Sequence, residues 1–113
     1  MKSDNLDKQT ILALRDAIEL LSGKWKFCIL HNIHINQVMR FKDLQQHAKE
    51  ISPKVLSKEL QVLEDNLLIT RTVNSTKPIT VSYRLTEHAL EIYPVLQALI
   101  AFGKKHRNLI IGK

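Results

Sequence analysis

Apolar residues along this chain recur with a period that changes several times. Ile11, Leu14, Ile18 and Leu21 stand three and four apart, the spacing of one helical face, which predicts a helix ending near Ser22-Gly23. Gly23 suits the left-handed stop of such a helix. A denser run, Trp25, Phe27, Cys28, Ile29 and Leu30, predicts a largely buried second helix from about Lys24 to Ile33, with a break at Asn36-Gln37. Phe41, Leu44 and Ala48 predict a short third helix from about Lys42 to Lys49. Ser52-Pro53 then starts a fourth, because a serine oxygen caps free N–H groups and proline at the first helical position loses no hydrogen bond. Leu56, Leu60, Leu63 and Leu67 fall within one narrow arc of it, and Asn66 is expected to supply a left-handed cap.

The period next changes to two. Ile69 to Val73 and Ile79 to Leu85 read as strands joined by Asn74-Ser75-Thr76-Lys77-Pro78, with Ile79, Val81, Tyr83 and Leu85 alternating against Thr80, Ser82 and Arg84. Thr86 caps a long last helix carrying Leu90, Tyr93, Leu96, Leu99, Ile100 and Phe102. Pro94 should kink it, having no N–H for the carbonyl of Leu90. Four helices, a hairpin and a helix make a mainly α fold with a small β-hairpin wing (α+β). Two short helices followed by that hairpin describe a winged helix-turn-helix, here a single domain over residues 1–113.

Composition narrows the partners. A chain of 113 residues, 44% apolar and 25% charged, suffices for one ordinary core. Its net charge of +6 suits a polyanion, and the placement of the charge says more than its total. On the fourth helix Lys54, Ser57, Lys58 and Gln61 cluster opposite the leucines, while Glu59, Glu64 and Asp65 lie on the flanks or at the C-terminal end. Lysine can meet phosphate or guanine, and glutamine can pair with adenine. Ser52 and the first-turn N–H groups suit a backbone phosphate. No acid occurs from Ile69 to Thr86. A solvated helix face and a polar surface hairpin would carry similar residues singly, but two consecutive acid-poor elements are more than solubility requires.

Other chemistry is thin. Cys28 lies among apolar neighbours and reads as a buried, inert thiol; a single cysteine makes no internal disulfide. His31 and His34 share a helix face without further ligands at metal-binding spacing, and His47, His88 and His106 are scattered. No phosphate loop, nucleophile elbow or carboxylate pair is present, so no catalytic residue, metal or cofactor is expected. Lys104-Lys105-His106-Arg107 fits a solvated helix end. The polar Met1–Asn5 stretch and the shortness of every apolar run predict a cytoplasmic protein with no membrane partner.

The assembled residues resemble the HxlR family of bacterial winged-helix regulators, which are MarR-like, from about Leu12 to Gly103. Ser22-Gly23-Lys24-Trp25 with Ile29-Leu30 is similar to its G-K-W…I-L signature, and Arg40-Phe41-Lys42-Asp43-Leu44 to its R-F-x-x-L. Residues 51–57 match I-S-x-K-x-L, and Pro78, Val81, Tyr83, Leu85 and Thr86 match P-x-x-V-x-Y-x-L-T. The resemblance implies a DNA-binding homodimer whose terminal helices, about residues 9–22 and 87–107, form the subunit interface. The apolar residues expected there are Ile11, Leu14, Ile18, Tyr93, Leu96, Leu99, Ile100 and Phe102, which would otherwise pack within a monomer.

Residues 53–66 are then expected to enter the major groove, and residues 74–78 to meet the minor groove or backbone. Arg40, Lys42, Ser52, Lys54, Val55, Ser57, Lys58 and Gln61 would contact DNA from the helices; Arg71, Asn74, Ser75, Thr76, Lys77 and Arg84 would do so from the hairpin. Two other readings stay open: a winged-helix module that binds protein, and a regulator holding a small effector at its dimer interface. Many members carry a cysteine near the start of the first helix, sometimes as a redox sensor. Here Ile11-Leu12-Ala13-Leu14 stand in that region, so that mechanism does not carry over. Asn66 replaces a usual glycine, Phe102 a usual tryptophan, and His88-Ala89 a common glycine.

Overall fold

The computed structural model describes residues 7–48 and 50–112. The expected end of the third helix at Lys49, the Met1–Asn5 stretch and Lys113 lie outside them. The elements run α1 (Lys8–Leu21), α2 (Lys26–Asn36), β1 (Met39–Arg40), α3 (Phe41–His47), α4 (Pro53–Asp65), β2 (Ile69–Asn74), β3 (Thr80–Leu85), α5 (Glu87–Leu90) and α6 (Ile92–Ile111). Two features go beyond the predicted order. Met39–Arg40 is a strand, pairing antiparallel with Tyr83 and Ser82 to give a sheet ordered β1-β3-β2. Two residues are too few to show alternation. The last helix is also divided: Thr86 Oγ1 accepts the Ala89 N–H at 3.0 Å to start α5, and the interruption falls at Glu91, ahead of Pro94.

The starts of α1, α3 and α4 each have a chemical cause. Asp7 Oδ1 accepts the Thr10 N–H at 2.7 Å, and that bond holds the Asp7 carboxyl below the ordinary carboxylate range. Asp43 accepts the Arg40 N–H at 3.2 Å, and Ser52 Oγ accepts the Val55 N–H at 3.2 Å. Gly23 takes φ +106°, the backbone conformation that lets the chain leave α1 and enter α2.

The core gathers around the inner faces of α2, α3 and α4: Ile29, Ile33, Leu44, Leu56, Leu60 and Leu63 are almost fully enclosed. Two expectations are corrected here. Leu67 is 70% exposed and Leu68 is 0% exposed, so the arc of α4 is completed by the next residue along. The reason is the helix end. Asn66 stays at φ −95°, and Leu67 instead takes φ +64°, while the Leu68 N–H reaches back to Leu63 O at 2.9 Å and the Leu67 N–H to Glu64 O at 3.0 Å. This is a Schellman closure, whose left-handed residue reverses the chain and turns the following side chain inward. Cys28 is also exposed, not buried. In α2 the inward arc is Ile29, Leu30 and Ile33, and Cys28 sits on the other side, where Asn32 Nδ2 donates to its sulfur at 3.5 Å. An uninterrupted apolar run carries no period to say which member faces out.

The terminal helices are arms more than walls. None of α1 is buried and α6 buries only Leu96. The radius of gyration is 17.0 Å, and the molecule extends 63 × 38 × 23 Å. A compact chain of this length would have a radius of about 13 Å.

A leucine in the left-handed region is strained, whereas glycine is not. Leu67→Gly is therefore expected to raise stability by about 0.5–1 kcal/mol, and Leu68→Ala to lower it by about 2–5 kcal/mol. Urea midpoints at fixed protein concentration check both; a destabilised Leu67→Gly would mean that the exposed side chain is packed against something.

Candidate nucleic-acid interface

The hydrophobic seating of α4 determines which residues it offers. With Leu56, Leu60 and Leu63 against the core, Lys54, Val55, Ser57, Lys58 and Gln61 stand exposed on the outer side, and Ser52 caps the end from which Lys54 projects. From Lys54 to Gln61 that face is free of acid because Glu59 turns the other way: its Oε1 lies 3.1 Å from Lys26 Nζ, and both side chains are largely covered. Toward the C-terminal end Gln61 Nε2 donates to Asp65 Oδ1 at 2.9 Å, a bond it must exchange to read a base.

The register of the hairpin separates residues that the sequence places together. Arg71 pairs with Tyr83 and Arg84 with Thr70, so the two arginines project from opposite faces of the sheet. Arg71 shares a cleft of about 510 Å³ with Ser57, Gln61 and Glu64 of α4. Arg84 borders His34, Gln37 and Leu90 at the far end of α2 and does not join the α4 surface. Asn74 is likewise turned inward, donating to Thr80 Oγ1 at 3.0 Å and Ser82 Oγ at 2.7 Å. Thr76 Oγ1 donates to Pro78 O at 2.8 Å. These bonds brace the hairpin tip, leaving Ser75 and Lys77 exposed on it.

The sequence reading missed the company of Arg40 and Lys42. They sit across a second cleft from Lys77, and Phe41, Ile79 and Val81 form its apolar wall. Ile79, expected to open the second strand, lies one residue before β3 and is 69% exposed. The strand β1 that carries α3 up to the hairpin creates this juxtaposition, and a two-residue strand leaves no periodic trace.

On the terminal helices Ile11, Leu14, Ile18, Leu99, Ile100 and Phe102 are exposed. Leu96 is covered and Tyr93 half-covered within the chain itself: the Tyr93 ring lies 4.1 Å, centroid to centroid, from His34, and Leu96 borders Leu30 and His31 and is 9% exposed. Among the described residues no group of three His, Cys, Asp or Glu converges as a metal site, and no helix is long and apolar enough to cross a membrane.

A capped helix whose outer face carries cations and no acid from Lys54 to Gln61, preceded by a short helix and followed by a braced hairpin, defines a winged helix-turn-helix protein. The model of the HxlR-like helix-turn-helix family matches residues 20–110, and the chain belongs to that family of transcription regulators, a membership that implies DNA binding. It is 35% identical over 91 residues to an HTH-type transcriptional regulator of Halalkalibacterium halodurans, covering 80% of each chain. To the HTH-type regulator YtcD of Bacillus subtilis it is 31% identical over 106 residues, 93% of this chain and 82% of the relative. Its fold is similar to the reduced form of the transcriptional regulator YodB from B. subtilis, with TM-score 0.75, 28% identity and coverage of 89% and 94%.

If the Lys26–Glu59 pair holds the acid off the outer face, removing Lys26 leaves a covered carboxylate without its partner. Lys26→Met is expected to cost about 1–3 kcal/mol and Glu59→Gln less. The double variant should recover part of the loss. Strict additivity in a double-mutant cycle by thermal denaturation would show that the two groups do not interact.

Proposed function

We propose that this protein is a sequence-specific regulator that binds double-stranded DNA as a homodimer, with α4 in the major groove and the hairpin tip at the adjacent minor groove or backbone. The observation that carries this is the outer face of α4 from Lys54 to Gln61, which holds two cations and no acid and is flanked by the cations of α3 and the wing. Lys58 and Gln61 are the side chains suited to base edges, Val55 can meet a thymine methyl group, and Ser57 serves either base or phosphate. Ser52, Lys54, Arg40, Lys42, Arg71, Ser75 and Lys77 suit the phosphate backbone.

The dimer follows from the arms. Ile11, Leu14 and Ile18 on α1, and Leu99, Ile100 and Phe102 on α6, form apolar stripes that the single chain leaves in water. Burying them against a second copy removes this exposure. A two-fold axis between the copies would set two α4 helices about 34 Å apart, one helical turn of DNA.

Duplex binding measured by fluorescence anisotropy should weaken steeply with salt, because each phosphate contact releases about one counterion. Lys58→Ala and Gln61→Ala should cost about 1–3 kcal/mol on the preferred duplex. Arg84→Ala should leave affinity unchanged. A flat salt dependence, or loss of binding in Arg84→Ala alone, would reject this interface; absence of duplex binding would favour a protein-binding module. In sedimentation the native chain is expected at twice its 13.0 kDa mass, and Phe102→Glu at the monomer mass. A native chain that sediments as a monomer at all concentrations would end the dimer reading.

A further inference from the structure

The cleft between the start of α3 and the hairpin has two chemical characters that duplex DNA does not use together. Its rim holds Arg40, Lys42 and Lys77, and among the described residues no acid lines it. Its wall is Phe41, Ile79 and Val81, with Ile79, the residue just before β3, largely exposed. The volume is about 540 Å³. That is within the range of small-molecule sites, about 300–1,000 Å³. The hairpin side of the cleft is preformed, since Thr76, Asn74 and Thr80 are already tied to one another or to the local backbone.

We infer that this cleft binds a small organic anion with an apolar body, such as an aromatic carboxylate, and that this ligand competes with DNA. Charge complementarity selects the class. A bare inorganic anion would satisfy the cations but leave the Phe41, Ile79 and Val81 surface in water. A neutral apolar molecule would cover that surface and leave three cations facing its rim. An anion with an apolar body meets both requirements. The neighbouring cleft under α4 is a poorer fit for an anion because Glu64 lines it. Since Arg40, Lys42 and Lys77 are also assigned to the DNA backbone, a carboxylate held among them removes phosphate contacts and weakens the duplex complex. This second step rests on the DNA reading above; the binding itself does not.

The test therefore has two stages, using the full chain. In the first, without DNA, 2-naphthoate is titrated while the methyl signals of Ile79 and Val81 are followed by NMR, with 2-naphthylmethanol and inorganic phosphate as controls. Naphthoate should move those signals and bind at least about tenfold more tightly than the neutral alcohol. Phosphate at equal concentration should not move the methyls. Ile79→Ser, which keeps every cation, and Lys77→Ala, which keeps the wall, should each weaken naphthoate about tenfold or more. Shifts centred elsewhere, equal affinity for the alcohol, or indifference to both substitutions would overturn the site.

In the second stage naphthoate is added to the duplex complex. Saturating ligand should lower DNA affinity about tenfold and reduce the salt slope. Ile79→Ser should bind DNA normally without ligand and resist the ligand's effect. Binding at the cleft without release of DNA would overturn the competition. A chain that takes naphthoate at the cleft but never binds duplex would overturn the DNA reading and leave the ligand site standing.

Discussion

Everything this protein presents to a partner depends on how α4 is seated. Leu56, Leu60 and Leu63 are almost wholly removed from water, and Leu68 joins them after the Schellman closure. Fully burying one leucine side chain contributes roughly 1.5–3 kcal/mol, so this face fixes the rotation of the helix far more firmly than any surface contact can. Rotation is the functional variable. A turn of one residue would replace the Lys54, Ser57, Lys58 and Gln61 face with one containing Glu59. Thr86 then ties the end of α4 to the start of α5, donating to Leu67 O at 2.7 Å while accepting the Ala89 N–H. The same threonine therefore sets both the close of the helix-turn-helix and the departure of the C-terminal arm.

The electrostatics are sorted by packing. The net charge of +6 is modest for a DNA-binding chain, and α4 itself carries three acids beside two lysines. What makes its outer face cationic is their disposal. Glu59 is drawn to Lys26 across the helix–helix contact, Glu64 lines the same cleft as Arg71, and Asp65 bonds Gln61 at the end farthest from the cap. A surface can thus be strongly biased without a strongly biased composition, because helical spacing assigns each acid to a different neighbour.

A small head and two long arms divide the work of stability. The head encloses one core, whereas α1 and α6 leave apolar stripes uncovered and stretch the molecule to 63 Å. Helices of 14 and 20 residues gain little from propensity alone. Most helical stability in proteins comes from packing an amphipathic face, which makes the arms dependent on a surface that the single chain does not supply. On the proposed assembly, order in the arms and the spacing of the two heads are the same event.

Sequence by itself determined the winged helix-turn-helix plan, the caps at Ser52 and Thr86, the leucine arc up to Leu63 and the polar residues opposite it. These follow from local rules: period, cap chemistry and the dihedral limits of proline and glycine. It did not determine which member of an unbroken apolar run faces outward, so Cys28 reads as an inside residue, nor that strain at Leu67 would bring Leu68 inward. It placed Arg71 and Arg84 together because both lie on strands; only the pairing register sends them to opposite faces. Asn74 and Leu96 read as surface residues until the neighbours that occupy them are present. The cleft between Arg40, Lys42, Lys77 and the Phe41–Ile79–Val81 wall was invisible for the same reason, since β1 brings segments more than 40 positions apart into contact. Local chemistry writes the elements and their faces, and long-range pairing decides which of those faces meet.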